Sequence, residues 1–284
     1  MSTSTPEWLP TRTWVFAIGI WDDEGRRDAV LVQALERRGV PPAQVTFLKN
    51  EAATRQAVLA KFEQVLDGLP PDATLLFYFA GHGQRDEETG LGHLQLHRGL
   101  WALPDLFATL EQRFGGAQAM LFADSCYSGG LAHEALLRTA RVPCAVLSSS
   151  QSSTESTREW AFTNCLVAAL RGELPGPRGA RFVSLLDVAQ HVQKEMAYGF
   201  GQLPTFVCTN GFNPAIAFAA AAAATDASDT SYVLARAADG DSYAGRIVER
   251  RGTQVRIRWA GYGQEDDEWV GMQDTQALRP PEHP

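Results

Sequence analysis

Six short, nearly continuous apolar runs punctuate the first three quarters of the chain, at positions 14–20, 45–49, 74–80, 117–123, 143–148 and 205–208. Their lack of polar alternation is the pattern of strands buried on both faces. Between them, apolar residues recur at three- or four-residue steps: Leu31/Ala34/Leu35, Leu59/Phe62/Leu66, Leu106/Leu110/Phe114, Phe162/Leu166/Leu170 and Leu185/Val188/Val192/Met196. That period predicts helices, each with one buried stripe. Gly39, Gly68, Gly115 and Gly172 follow four of them, where a left-handed cap is expected, and Ser184 with Asp187 forms a capping box ahead of the fifth. Strands separated by helices predict an α/β fold with a mainly parallel sheet and helices on both faces. Ligand sites in such sheets lie outside the carboxyl ends of the strands.

The texture changes after Asn213-Pro214. Ala219–Ala224 reads as a last helical turn or two, and the small polar residues that follow read as a linker. Beyond them, Val255, Ile257 and Trp259 alternate with Arg256 and Arg258, and Asp239-Gly240 is a turn signal. The expected organisation is a large domain at 1–218, a linker at 219–231 and a small antiparallel β domain at 232–284.

Composition narrows the function classes. The chain has 284 residues, 45% hydrophobic and 20% charged, with a formal net charge of −8. Charges of both signs are interspersed, which argues against an electrostatic nucleic-acid footprint. The longest apolar run, 215–224, is far short of the roughly 20 residues that span a bilayer, so no membrane association is expected. The first seven residues have neither a basic lead nor an apolar stretch, so no secretory signal is expected. Four cysteines without a CxxC pair fit a reducing cytoplasm better than a disulfide framework or a zinc site.

Chemistry concentrates at the ends of the third and fourth runs. One leads into Gly81-His82-Gly83, the other into Asp124-Ser125-Cys126-Tyr127-Ser128-Gly129-Gly130. If these strands are neighbours, a histidine and a cysteine leave the same sheet edge and can meet across a cleft. The imidazole favours the thiolate and supplies the proton that an amine leaving group needs. Gly83 permits close backbone approach, and its N–H with that of Cys126 would form an oxyanion hole. Cys144 and Cys208 lie within strand runs and Cys165 on a helix, and His93, His97, His133 and His191 show no ligand spacing.

Together, Tyr78-Phe-Ala-Gly-His82-Gly and Asp124-Ser-Cys126-Tyr-Ser-Gly resemble the catalytic segments of caspase-fold cysteine proteases, in particular the metacaspase and bacterial orthocaspase branch, over roughly residues 13–217. The pentapeptide around the cysteine of animal caspases is absent. The resemblance implies a caspase-like six-stranded sheet and peptide hydrolysis through an acyl-enzyme. It implies His82 as acid and base, Cys126 as nucleophile and the backbones of Gly83 and Cys126 as oxyanion donors. It implies protein substrates and action in a regulated bacterial signalling or defence cascade; separase-like or CHAT-type selection and a catalytically silent scaffold are the rivals. Asp124, two residues before the cysteine, and Asp28, in an Arg-Asp-Ala segment where that branch has a second pocket carboxylate, would bind a guanidinium and repel an acid. Cleavage after Arg, and less well after Lys, is therefore expected. Alternatively, Asp28 caps the following helix and Asp124 bonds local N–H groups.

Ser148, Ser149 and Ser150 leave the fifth run at the same edge, where the family lines its cleft, although a Ser-rich loop equally reads as a surface turn. No cofactor is expected; calcium, which many metacaspases require, has candidate ligands at Asp22-Asp23-Glu24 and Asp86-Glu87-Glu88, but solvated acidic turns are the preferred reading of both. Arg138, Arg141 and Arg178 are candidate sites of processing, by the chain itself or by an activating protease. The segments around Tyr243, Trp259, Tyr262 and Asp266-Asp-Glu-Trp269-Val resemble chromo-barrel or Tudor-like SH3-type barrels. Those four aromatics are candidates for a cation cage, or simply for the core of a small barrel.

Overall fold

The computed structural model describes residues 7–21, 26–151, 160–177, 180–222 and 232–278. In chain order the elements are β1 (Thr13–Gly19), α1 (Asp28–Arg37), β2 (Val45–Lys49), α2 (Arg55–Asp67), β3 (Thr74–Ala80), β4 (Gly83–Arg85), β5 (Gly92–Gln95), β6 (Leu100–Ala102) and α3 (Leu103–Arg113). There follow β7 (Gln118–Asp124), α4 (Gly130–Arg138), β8 (Cys144–Ser148), α5 (Ala161–Leu170), β9 (Phe182–Ser184), α6 (Leu185–Phe200), β10 (Thr205–Thr209) and β11 (Ala217–Ala220). The chain closes with β12 (Tyr232–Arg236), β13 (Ser242–Arg251), β14 (Gln254–Trp259), β15 (Glu268–Gly271) and β16 (Thr275–Ala277).

Two compact units emerge. The first comprises Met1–Ser156 with Pro204–Ala217, and the second Thr157–Leu203 with Phe218–Pro284. The first holds the six-stranded sheet, ordered β10-β8-β7-β3-β1-β2. Its pairings are parallel except that of β10 with β8. All seven residues of β3 are buried, as a central strand covered on both faces requires. Phe16, Ile18, Phe77, Phe79 and Leu121 pack on Phe62 of α2 and on Phe107 and Leu110 of α3 in one core cluster. Aromatic rings dominate it: Phe62 meets Phe16 at 5.1 Å and Trp101 at 5.3 Å between centroids. The alternate residues Val15, Ala17, Leu76, Tyr78 and Phe122 are buried as well.

The second unit contains α5, α6 and a five-stranded antiparallel sheet, ordered β15-β14-β13-β12-β16. The inner face of the sheet carries Val233, Ile247, Val255, Ile257, Trp259 and Val270. Asp239-Gly240 turns between β12 and β13, with Gly240 at φ 93. α6 starts at the expected capping box, where Ser184 and Asp187 exchange side-chain and backbone bonds. One helix face meets the sheet through charges. Glu195 accepts from Tyr232 Oη at 2.7 Å, Arg246 Nε at 2.6 Å and the Gly261 N–H at 2.9 Å, with His191 Nε2 at 3.8 Å. Tyr198 stacks on Tyr232 at 4.1 Å.

Three local expectations are corrected. Ala217–Ala220 is a strand paired with β9, not a helical turn. The N–H groups of Ala221 and Ala222 go to the carbonyls of Arg181 and Leu174, and Phe218 is buried, so packing overrides alanine's helical propensity. Gly68 caps α2 in the right-handed region, at φ −92. α3 ends at Arg113 with an extended Phe114, so Gly115 caps nothing. Gly39 and Gly172 do follow their helices at positive φ.

Candidate active site

β1, β3 and β7 run in register, so Gly19, Ala80 and Asp124 end level. The ladder continues one residue further: the Ile20 N–H donates to the Ala80 carbonyl at 2.9 Å, and the Gly81 N–H to the Asp124 carbonyl at 3.2 Å. Trp21, His82 and Cys126 thus leave three adjacent strand ends on the carboxyl edge. His82 is exposed, and its carbonyl accepts from the Gln95 N–H at 2.9 Å. Its ring lies against the Trp21 indole at 5.2 Å between centroids. Gly83 has the decisive position, because a Cβ there would overlap the Cys126 carbonyl oxygen. Only glycine allows that approach, and it draws the His82 turn onto the Cys126 turn.

Cys126 is partly buried between β7 and α4. The next residue, Tyr127, takes the left-handed conformation at φ 56, a costly choice for a side chain with a Cβ. The strain is held by serines. Ser149 Oγ accepts from the Ser125 N–H at 3.1 Å, and Ser150 Oγ accepts from the Ser128 N–H at 3.1 Å and donates to the Ser125 carbonyl at 3.0 Å. Ser148 Oγ donates to the Ser150 carbonyl at 3.1 Å. All three serines are fully buried. Of the other thiols, burial raises that of Cys144 and pushes Cys208 up to about 11, so both stay protonated.

Both candidate pocket carboxylates are buried at this edge. Asp124 is the last residue of β7. Asp28 opens α1, where its Oδ1 accepts from the Ala29 N–H at 2.7 Å and from Arg26 Nε at 3.1 Å. Sequence reasoning missed Arg26 altogether, as it missed Trp21 beside His82.

Residues 30–213 match the family model of the caspase domain, well over half of the chain. The chain belongs to the caspase-domain family. That family is one of cysteine peptidases acting on protein substrates, which supports a hydrolase. Among solved structures, the chain is similar to protein GSU0716 from Geobacter sulfurreducens, with 17% identity and TM-score 0.53, covering 74% of this chain and 100% of that one. It is also similar to Caspase-1 from Spodoptera frugiperda, with 16% identity and TM-score 0.44, covering 72% of this chain and 88% of that one. No curated protein matches.

The caspase-domain match ends before the C-terminal sheet. There, Tyr243 and Trp259 meet edge to face at 6.0 Å, while the Trp269 ring carries the Arg251 guanidinium at 4.8 Å. Tyr243, Tyr262 and Trp269 are exposed and Trp259 is buried. Among the candidate processing residues, Arg138 pairs with Glu134 within α4. The Arg141 side chain is mostly exposed, and its N–H donates to Glu111 Oε1 at 3.1 Å. Arg178, like Asp22-Asp23-Glu24, lies outside the described residues. Asp86 turns inward on its own loop, accepting from the Glu88 and Thr89 N–H groups and the Thr89 hydroxyl, and these bonds lower its pKa. Among the described residues, no three His, Cys, Asp or Glu side chains converge as metal ligands, and no helix is long and apolar enough to cross a membrane.

Proposed function

We propose that this caspase domain is a cysteine endopeptidase cleaving after basic residues, arginine before lysine. The observation that carries the reading is the contact of Gly83 with the Cys126 carbonyl, which holds the His82 and Cys126 turns together at neighbouring strand ends. His82 takes the Cys126 proton, and the thiolate attacks the scissile carbonyl carbon. The N–H groups of Gly83 and Cys126 donate to the resulting oxyanion. The His82 imidazolium then protonates the departing amine as the tetrahedral intermediate collapses to a thioester. Water, deprotonated by His82, attacks that acyl-enzyme, releases the carboxylate product and restores the thiol. Asp124 and Asp28 supply negative charge for a substrate guanidinium, and both disfavour an acidic side chain.

A fluorogenic peptide ending in Arg, beside its Lys and Asp counterparts, tests the reading. Turnover of the Arg peptide, lost by about 10³-fold or more in Cys126→Ala with the thermal midpoint unchanged, is expected. Equal rates on the Arg and Asp peptides would overturn the basic preference. No turnover, with or without calcium or prior trypsin treatment, would favour a scaffold acting through its C-terminal sheet.

A further inference from the structure

The end of β1 holds a guanidinium site that is already filled. Arg26 Nε donates to Asp28 Oδ1 at 3.1 Å, and Nη2 donates to Asp28 Oδ2 and, at 3.0 Å, to the Gly19 carbonyl. Nη1 donates to the Trp21 carbonyl at 3.1 Å and to Asn50 Oδ1 at 2.8 Å. A guanidinium presents five N–H donors in a rigid planar fork, and every one has an acceptor here. The acceptors come from three separated segments: the end of β1, the start of α1, and Asn50, which is held at φ 43 just after β2. Glycine is required at 19, since a Cβ would overlap Asp28 Oδ2 and stand 2.7 Å from Arg26 Nη2. The carboxylate of Asp28 is fully buried, whereas the Arg26 side chain keeps 20% of its surface exposed. Trp21, whose carbonyl closes the cradle, lays its ring against His82.

We propose that this cradle is a guanidinium subsite of the peptide-binding edge, occupied by the chain's own Arg26, and that a substrate arginine enters it by displacing Arg26. An ammonium, with three donors on one nitrogen, cannot span acceptors laid out for a planar fork, so the cradle itself selects arginine over lysine. Arg26 competes from within the same chain, at high effective concentration, and apparent substrate affinity is reduced by the fraction of molecules whose cradle is vacant. The consequence for turnover rests on the peptidase reading above; the binding of a guanidinium does not.

The test therefore measures binding first. In Arg26→Ala, n-propylguanidinium should bind by calorimetry and raise the thermal midpoint, while n-propylammonium should do neither, and the wild type should respond to neither cation. In steady-state assays of Arg26→Ala, KM for an Arg-ending peptide should fall about tenfold, more than kcat changes and more than KM for the Lys-ending peptide. If Arg26→Ala fails to fold, Arg26→Gln, which leaves a neutral hydrogen-bonding side chain, takes its place. The proposal is overturned if propylguanidinium stabilises the variant no more than the wild type or no better than propylammonium, or if KM for the Arg peptide rises. Guanidinium binding without turnover by either protein would uphold the cradle and remove the peptidase reading instead.

Discussion

The loop that carries Cys126 is braced by buried serine hydroxyls and peptide groups, whereas the contact around Glu195 is organised by a buried carboxylate and an arginine. In the first region Ser149 and Ser150 spend their hydroxyls on the Ser125 and Ser128 backbone, which fixes a strained loop and adds no charge beside the candidate nucleophile. In the second, a buried carboxylate is satisfied by a tyrosine hydroxyl, an arginine and a backbone N–H. The two arrangements suit different tasks. Hydroxyls that bond only backbone groups fix the shape of a loop, while an ionic cluster specifies how a helix and a sheet must dock, because any misfit leaves a charge unpaired. The two histidines follow the same division. His82 is exposed at the carboxyl edge, whereas burial lowers the pKa of His191 to about 4, and Arg246, Lys194 and Arg258 reinforce that shift while Glu195 opposes it.

The largest effect is expected of Glu195→Ala. It strands Arg246, and unfolding of the second unit, followed by denaturant titration, should become easier by about 3–5 kcal/mol. A loss below about 1 kcal/mol would mean that the carboxylate does not organise the contact between α6 and the sheet. Acidification should act on the same cluster. Between the ordinary histidine pKa near 6.5 and about 4, unfolded chains take up a proton that His191 in the folded chain does not. Stability therefore falls as pH falls through that window, by up to about 3 kcal/mol. The depressed pKa of Glu195 acts in the same direction below its ordinary value, since protonation must then precede loss of the Arg246 bond. His191→Gln should flatten the slope between pH 6.5 and 4, and an unchanged slope would exclude His191 as its source. The smallest effect is expected in the serine-braced loop: Ser150→Ala should cost about 1–3 kcal/mol by leaving the Ser128 N–H without its acceptor, with no new pH dependence of stability.

Much of this was legible along the chain. The six strands of the main sheet fall within a residue or so of the apolar runs, and the four central ones are almost wholly buried, as strands covered on both faces must be. The Gly-His-Gly and Asp-Ser-Cys turns were legible too, since each follows directly on an apolar run that forms a strand. Glu195 left a fainter trace. It sits three residues after Val192 on the apolar stripe of α6, where a carboxylate needs a partner that period alone cannot name. Arg26 left none. Its acceptors at Gly19, Asn50 and Asp28 are ordinary residues of three different segments, and only the chain's return to one edge makes them a site.

By itself, then, the sequence determined the alternation of strands and helices, the separate β texture of the tail, and which histidine and cysteine follow the ends of two apolar runs. Those are properties of local pattern, written at spacings of two to four residues. The tertiary structure decided which polar atoms meet: that Gly83 touches Cys126, that serines brace the loop, that Arg26 fills the Asp28 cradle and that Glu195 joins α6 to the C-terminal sheet. Hydrogen bonds and ion pairs act over about 3 Å between residues distant in the chain, and periodicity carries no record of them.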